Sequence, residues 1–185
     1  FGGCFALRSD FFVPVPVFFL VDEFFITLEA FRRGGLAIKE SKALCYEPVG
    51  HELQEEFRRK ARISAGNLQN MLRFPDLWLP PMGLPNFPFF SHKILRWLGP
   101  IWLILLLLCA ALLSSNLFYA SLFAMLCGLY FGIPLLDELL QRWQLNGAML
   151  RNIRYFLMMN LALLVGYIRY VKGIKSNVWQ PPKRQ

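Results

Sequence analysis

From Leu98 to Pro134 the sequence carries no charged side chain, a stretch of 37 residues. Nothing else constrains the chain as strongly. A helix needs about 20 predominantly apolar residues to cross a bilayer. This run supplies material for two such helices, separated by the polar Ser114-Ser115-Asn116. The expected spans are 98–113 and 117–136, joined by so short a turn that they form a tight hairpin. A third apolar segment, YFLMMNLALLVGYI at 155–168, is marginal in length for a crossing.

Basic flanks set the orientation. Lys93 and Arg96 before the hairpin, and Arg142, Arg151 and Arg154 after it, place both of its ends on the cytoplasmic side. If the third segment crosses, the basic tail RYVKGIKSNVWQPPKR lies outside, against the same rule. If it is re-entrant, the tail stays inside. Both arrangements remain open, with crossing the preferred one.

Residues 1–96 have a different character, holding most of the acids and many of the bases of a chain whose net charge is +8. The start, FGGCFALR, has no basic region followed by an apolar core, so no signal peptide is expected and the chain reads as part of something longer. Cys4, Cys45, Cys109 and Cys127 form no CxxC pair, which argues against structural zinc or a disulfide framework. A short strand-like run and two alternate prolines fill residues 1–19. From Asp22 the apolar positions Phe24, Phe25, Leu28 and Phe31 recur at helical spacing, and Gly34-Gly35 stops the helix. LAIKESKALCYEPVG reads as two short strands around a polar turn. HELQEEFRRKARISAGNLQNMLRF reads as a helix, acidic first and basic later as the macrodipole prefers. Its expected apolar stripe is Leu53, Phe57, Ala61, Leu68 and Leu72. The stretch 74–90, with five prolines among bulky aromatics, is too broken for a regular helix and too apolar for a solvated linker. It is expected at the membrane interface, followed by Lys93, Arg96 and Trp97 as anchors.

The acid pair Asp22-Glu23 has two readings. Acids in a first helical turn satisfy free N–H groups and suit the helix dipole without any chemistry. They can also act as a general base on a hydroxyl. The basic cluster Arg58, Arg59, Lys60 and Arg62 is likewise a solvated face, a patch against anionic lipid, or a clamp on a charged leaving group. The QRW at Gln141–Trp143 lies far from the acid pair and reads as an interfacial anchor. A transporter or channel finds no charged residue within the first two spans, and Asn160 reads as a helix–helix contact.

The order of these elements resembles the second half of the membrane-bound family-two glycosyltransferases, the GT-A enzymes that include cellulose, hyaluronan and poly-N-acetylglucosamine synthases. In that family an acidic pair opens a helix of the form acid-acid-x-x-[IT]-T/A-L that closes in Gly, and DEFFITLEAFRRGG matches it. FGGC (Phe1–Cys4) is similar to the family's aromatic-x-Gly-Ser turn, and RRKARISAG (Arg58–Gly66) to a degenerate Gln-x-x-Arg-Trp element. In the latter Arg59, Arg62 and Ile63 fall on the Gln, Arg and Trp. The family usually carries Asp where this chain has Glu23.

The resemblance implies an α/β fold plus transmembrane α-helices. Residues 1–73 would be the acceptor-side, C-terminal part of a GT-A domain, 74–97 an interfacial segment and 98–185 a membrane region. It implies Glu23 as general base with Asp22 beside it, an acceptor site at Phe1, Gly3 and Cys4, and Arg59, Lys60 and Arg62 toward the donor diphosphate. No metal ligand is expected in this chain. A divalent cation, Mg or Mn, would be bound outside it by an Asp-x-Asp motif, which these residues lack. The implied partners are a nucleotide-sugar, in the first place a UDP-sugar, a glycan or lipid-linked acceptor, and the lipid bilayer. Nothing points to nucleic acid. A missing N-terminal half or a partner subunit would complete an inverting hexosyltransferase of the bacterial inner membrane, its catalytic part in the cytoplasm, and this chain alone would be inactive. The alternative is a non-catalytic membrane scaffold of a polysaccharide synthesis or export assembly, supported by the Asp-to-Glu change and the eroded Gln-x-x-Arg-Trp element.

Overall fold

The computed structural model describes residues 4–46, 53–79, 86–143 and 147–174. The chain is mostly helical. Its elements are α1 (Asp22–Arg32), α2 (Leu53–Arg73), α3 (Phe87–Trp97), α4 (Gly99–Leu112), α5 (Leu117–Arg142) and α6 (Ala148–Val171), with 3-10 turns at Ser9–Phe11 and Pro75–Leu77.

The expected α/β character is corrected, because no β-strand occurs among the described residues and no GT-A sheet is formed. Of the strands expected over 36–50, residues 36–46 are irregular, with Leu36 and Ile38 90% and 91% exposed, and 47–50 lie outside the described residues. A strand is stable only when its N–H and C=O groups find a neighbouring strand and one face is covered. Nothing in the described chain supplies either.

α1 follows its sequence pattern. Phe24, Phe25 and Leu28 are buried, and Gly34 ends the helix at φ 82°, a left-handed conformation that glycine adopts without a Cβ penalty. These side chains join Leu20, Val21, Ala65, Phe74 and Leu77 in one core, with Phe89, Trp97, Tyr170 and Ile174 packed against it. Edge-to-face pairs such as Phe19–Phe25 and Phe24–Trp97, with ring centroids 5.0 Å and 5.7 Å apart, tie the loop before α1 and the helix α3 to that core.

α2 departs from its expected stripe. Ala61, Ser64, Ala65, Gly66, Asn70 and Met71 are buried, whereas Leu72 is 52% exposed. The reason lies in its neighbour. α2 and α6 run side by side and close together, Ser64 Oγ donating to the Leu163 carbonyl at 2.8 Å. A Cβ on Gly166 would lie 2.5 Å from Ser64 Cβ and 2.6 Å from the Ala61 carbonyl oxygen. Only small residues allow such an approach, so they form the buried face and the leucines flank it.

The interfacial stretch also differs in part from expectation. Helix begins at Phe87, because Pro88 sits in a first turn where its missing N–H is not needed. α3 contains a π-helical turn at Phe90–Ile94 and meets α4 at a 57° bend. Among the described residues two helices, α5 and α6, are long and apolar enough to cross a membrane, or up to three if the bent pair α3–α4 forms one span. The expected turn at 114–116 is observed, with Asn116 Oδ1 capping α5 by accepting from the Phe118 N–H. α6 is longer than the expected third segment at both ends. Its first turns carry Arg151 and Arg154 because Arg154 pairs at 3.2 Å with Asp137 of α5, a side chain that also accepts from Gln141 at 2.7 Å and is 1% exposed. Asn160 Oδ1 faces Gly99, a contact between α6 and α4.

Gly166→Ala should lower the stability of the chain by about 1–3 kcal/mol through overpacking. Gly132→Ala, in a helical stretch with nothing within 4 Å of the new methyl, should be neutral or slightly stabilising. Thermal unfolding of the two variants in one detergent compares them directly.

Candidate functional site

The acid pair is positioned by α2. Loop 18–21 runs across that helix, and three of its side chains hold the loop's backbone. Arg62 Nη1 donates to the Leu20 carbonyl at 2.7 Å. Gln69 Nε2 donates to the Phe18 carbonyl at 3.0 Å, while its Oε1 accepts from the Leu20 N–H at 3.1 Å. Asn70 Nδ2 donates to the Gly66 carbonyl at 2.9 Å and the Val21 carbonyl at 3.3 Å. Phe18 has φ 72°, an uncommon conformation for a non-glycine residue that this anchoring maintains. Gly66 permits the contact, since a Cβ there would lie 2.5 Å from Val21 Cγ2. Val21 immediately precedes Asp22, so the position of the carboxylates is set from α2 rather than by α1 alone.

Asp22 is exposed and Glu23 half-buried. The two carboxyl groups share a hydrogen bond. That bond from Glu23 holds the Asp22 carboxyl below its ordinary value, helped by the backbone N–H groups of Asp22 and Glu23 and by the charge of Arg62, against the effect of partial burial. Glu23 moves the other way. Burial pushes it up first, then its hydrogen bond to Asp22 and that residue's negative charge, while its own backbone N–H and Arg62 oppose the shift. Glu23 is thus the more basic carboxylate and keeps the shared proton to higher pH. Arg62 is lowered by burial and raised by both acids, with Arg169 of α6 acting against it. Exposed Asp22 and the half-buried Glu23 and Arg62 therefore act on one another, with Arg169 acting on Arg62.

The other expected site residues are placed differently. Arg59 and Lys60 pair with Glu56 at 2.8 Å and 3.7 Å within α2. Cys4 is exposed, and Phe1 and Gly3 lie outside the described residues. Among the described residues no group of three or more His, Cys, Asp or Glu side chains could hold a metal ion. Gln69, Asn70 and Arg169 were not singled out from the sequence. The first two follow Gly66 at helical spacing, a pattern that marks one face of α2. Arg169 has no local signal.

Asn70→Ala should cost about 1–3 kcal/mol, since it leaves buried backbone carbonyls without their donor. Leu72→Ala on the exposed side of the same helix should stay within about 0.5 kcal/mol. Chemical denaturation followed by tryptophan fluorescence measures both.

No family model, curated protein or solved structure matches the chain.

Proposed function

We propose that this chain is the acceptor-side and membrane part of an inverting glycosyltransferase, which transfers a sugar from a nucleotide-sugar donor to a glycan or lipid-linked acceptor. The observation that carries the reading is the convergence of Asp22, Glu23 and Arg62, with Glu23 pushed above its ordinary value. An acceptor hydroxyl must lose a proton as it attacks the anomeric carbon, and a carboxylate with raised basicity at a helix start can take it. Asp22 keeps a negative charge beside it. Arg62 limits how far the Glu23 carboxyl rises, and with Arg169 it offers positive charge toward a departing diphosphate. The donor-binding half and its metal belong to another segment or subunit.

A second reading, a non-catalytic membrane scaffold, draws on the bond from Arg62 to the Leu20 carbonyl, which gives that arginine a structural role without substrate.

Glu23→Gln in the complete protein should reduce sugar transfer by about 10²–10⁴-fold, with donor binding within a few-fold of the unmodified protein. Transfer retained within a few-fold removes the base assignment. The base must be ionised to accept a proton, so the rate should fall as pH drops through the raised Glu23 value. Asp22→Asn removes the neighbouring negative charge and should move that acidic limb to lower pH. Arg62→Gln removes the positive charge and should move it to higher pH. pH–rate profiles of the two variants measure these opposite displacements.

A further inference from the structure

α6 has the length and hydropathy of a membrane span, yet it runs beside α2 and is bonded to it through Ser64. At its beginning, Arg151, Arg154 and Tyr155 line a cavity together with Leu53, the first residue of α2. In its middle, Ser64 bonds to Leu163 and Gly166 rests on Ala61. At its end, Arg169 lies within electrostatic reach of Arg62, and Tyr170 packs against the core that contains Leu20 and Ala65. The two helices run in the same direction, so Glu55, Glu56, Arg58, Arg59, Lys60 and Arg62 accompany the central turns of α6. If α6 crossed the bilayer, this row of charges would stand at the bilayer's mid-depth, with Arg59 half exposed. Charged side chains at that depth are strongly disfavoured unless they face a protein interior.

We infer that α6 lies in the plane of the membrane surface as an interfacial helix, with α2 on its water side and lipid on the other. The face opposite α2 carries Leu161, Val165 and Ile168, all exposed. Leu105 and Leu108 of α4 and Phe131 of α5 likewise stand uncovered. Lys172 is exposed at the C-terminal end, a position that anionic headgroups favour. The end of α6 consequently lies on the same side of the membrane as α1 and α2, the arrangement that removes the conflict with the positive-inside rule.

Two measurements on the complete protein test this, and neither depends on sugar transfer. In a background with its cysteines replaced by serine, Lys172→Cys and Lys42→Cys should react alike with a membrane-impermeant maleimide, both protected or both labelled in intact cells and both labelled after permeabilisation. Opposite behaviour of the two positions overturns the inference. In vesicles of zwitterionic and anionic phospholipid, a fluorophore placed in turn at Leu161→Cys, Val165→Cys and Ile168→Cys should be quenched more by a shallow than by a deep spin-labelled lipid, to the same degree at all three. Depth that changes progressively along the helix identifies a crossing, and absence of quenching identifies a face covered by protein. Either result overturns it.

Discussion

The close approach of α2 to α6 governs this structure. Ala61 and Ser64 on one helix and Gly166 on the other bring two backbones within reach of a direct hydrogen bond from Ser64. Dispersion contacts and backbone bonds of this kind replace the large apolar side chains that usually join helices. With that contact in place, the remaining faces of α2 are free for other work. One carries Arg62, Gly66, Gln69 and Asn70 against loop 18–21, and another exposes paired charges such as Arg59 with Glu56.

The acid pair depends on this arrangement more than on its own helix. No side-chain cap is formed at Val21, and α1 is a short helix of 11 residues. Isolated helices of that length are marginal in water. Its place is fixed by burial of Phe24, Phe25 and Leu28 and by the three polar anchors from α2. The shift of Glu23 follows from the same geometry, because the loop that α2 holds carries Glu23 partly out of water and next to Asp22. The first-turn role of acids and a chemical role are compatible here, since backbone N–H groups act on both carboxyls while the carboxyls act on each other.

Much of the helical layout was legible in the sequence. The charge-free run placed the turn at 114–116 and the two helices beside it, although the first, at 14 residues, is long enough for a span only together with α3, and the second continues past the run to Arg142. Phe24, Phe25 and Leu28 marked α1, and Gly34 its end. Three features were not legible, each for a physical reason. The strands expected over 36–50, irregular in the described part 36–46, required a pairing partner, which local pattern does not reveal. The beginning of α6 extended through Arg151 and Arg154 because Asp137, remote in sequence, accommodates a charge there. The buried side of α2 was hidden because hydrophobic periodicity weights leucine over alanine and serine, while the spacing between the helices favoured the smaller residues. At the candidate site, motif order named Asp22, Glu23 and Arg62 as candidates, and these three side chains act on one another electrostatically. Gln69 and Asn70 were missed because their contribution is to hold backbone rather than to perform chemistry.

The missing Cβ at position 166 has a consequence for recognising kindred chains. Any protein that keeps this pair of helices must retain hydrogen as the side chain there, or separate the two axes by the width of a methyl group. A glycine late in the last apolar segment, facing alanine and serine three residues apart on a basic helix, is therefore a sparse fingerprint. It can persist after overall similarity has faded.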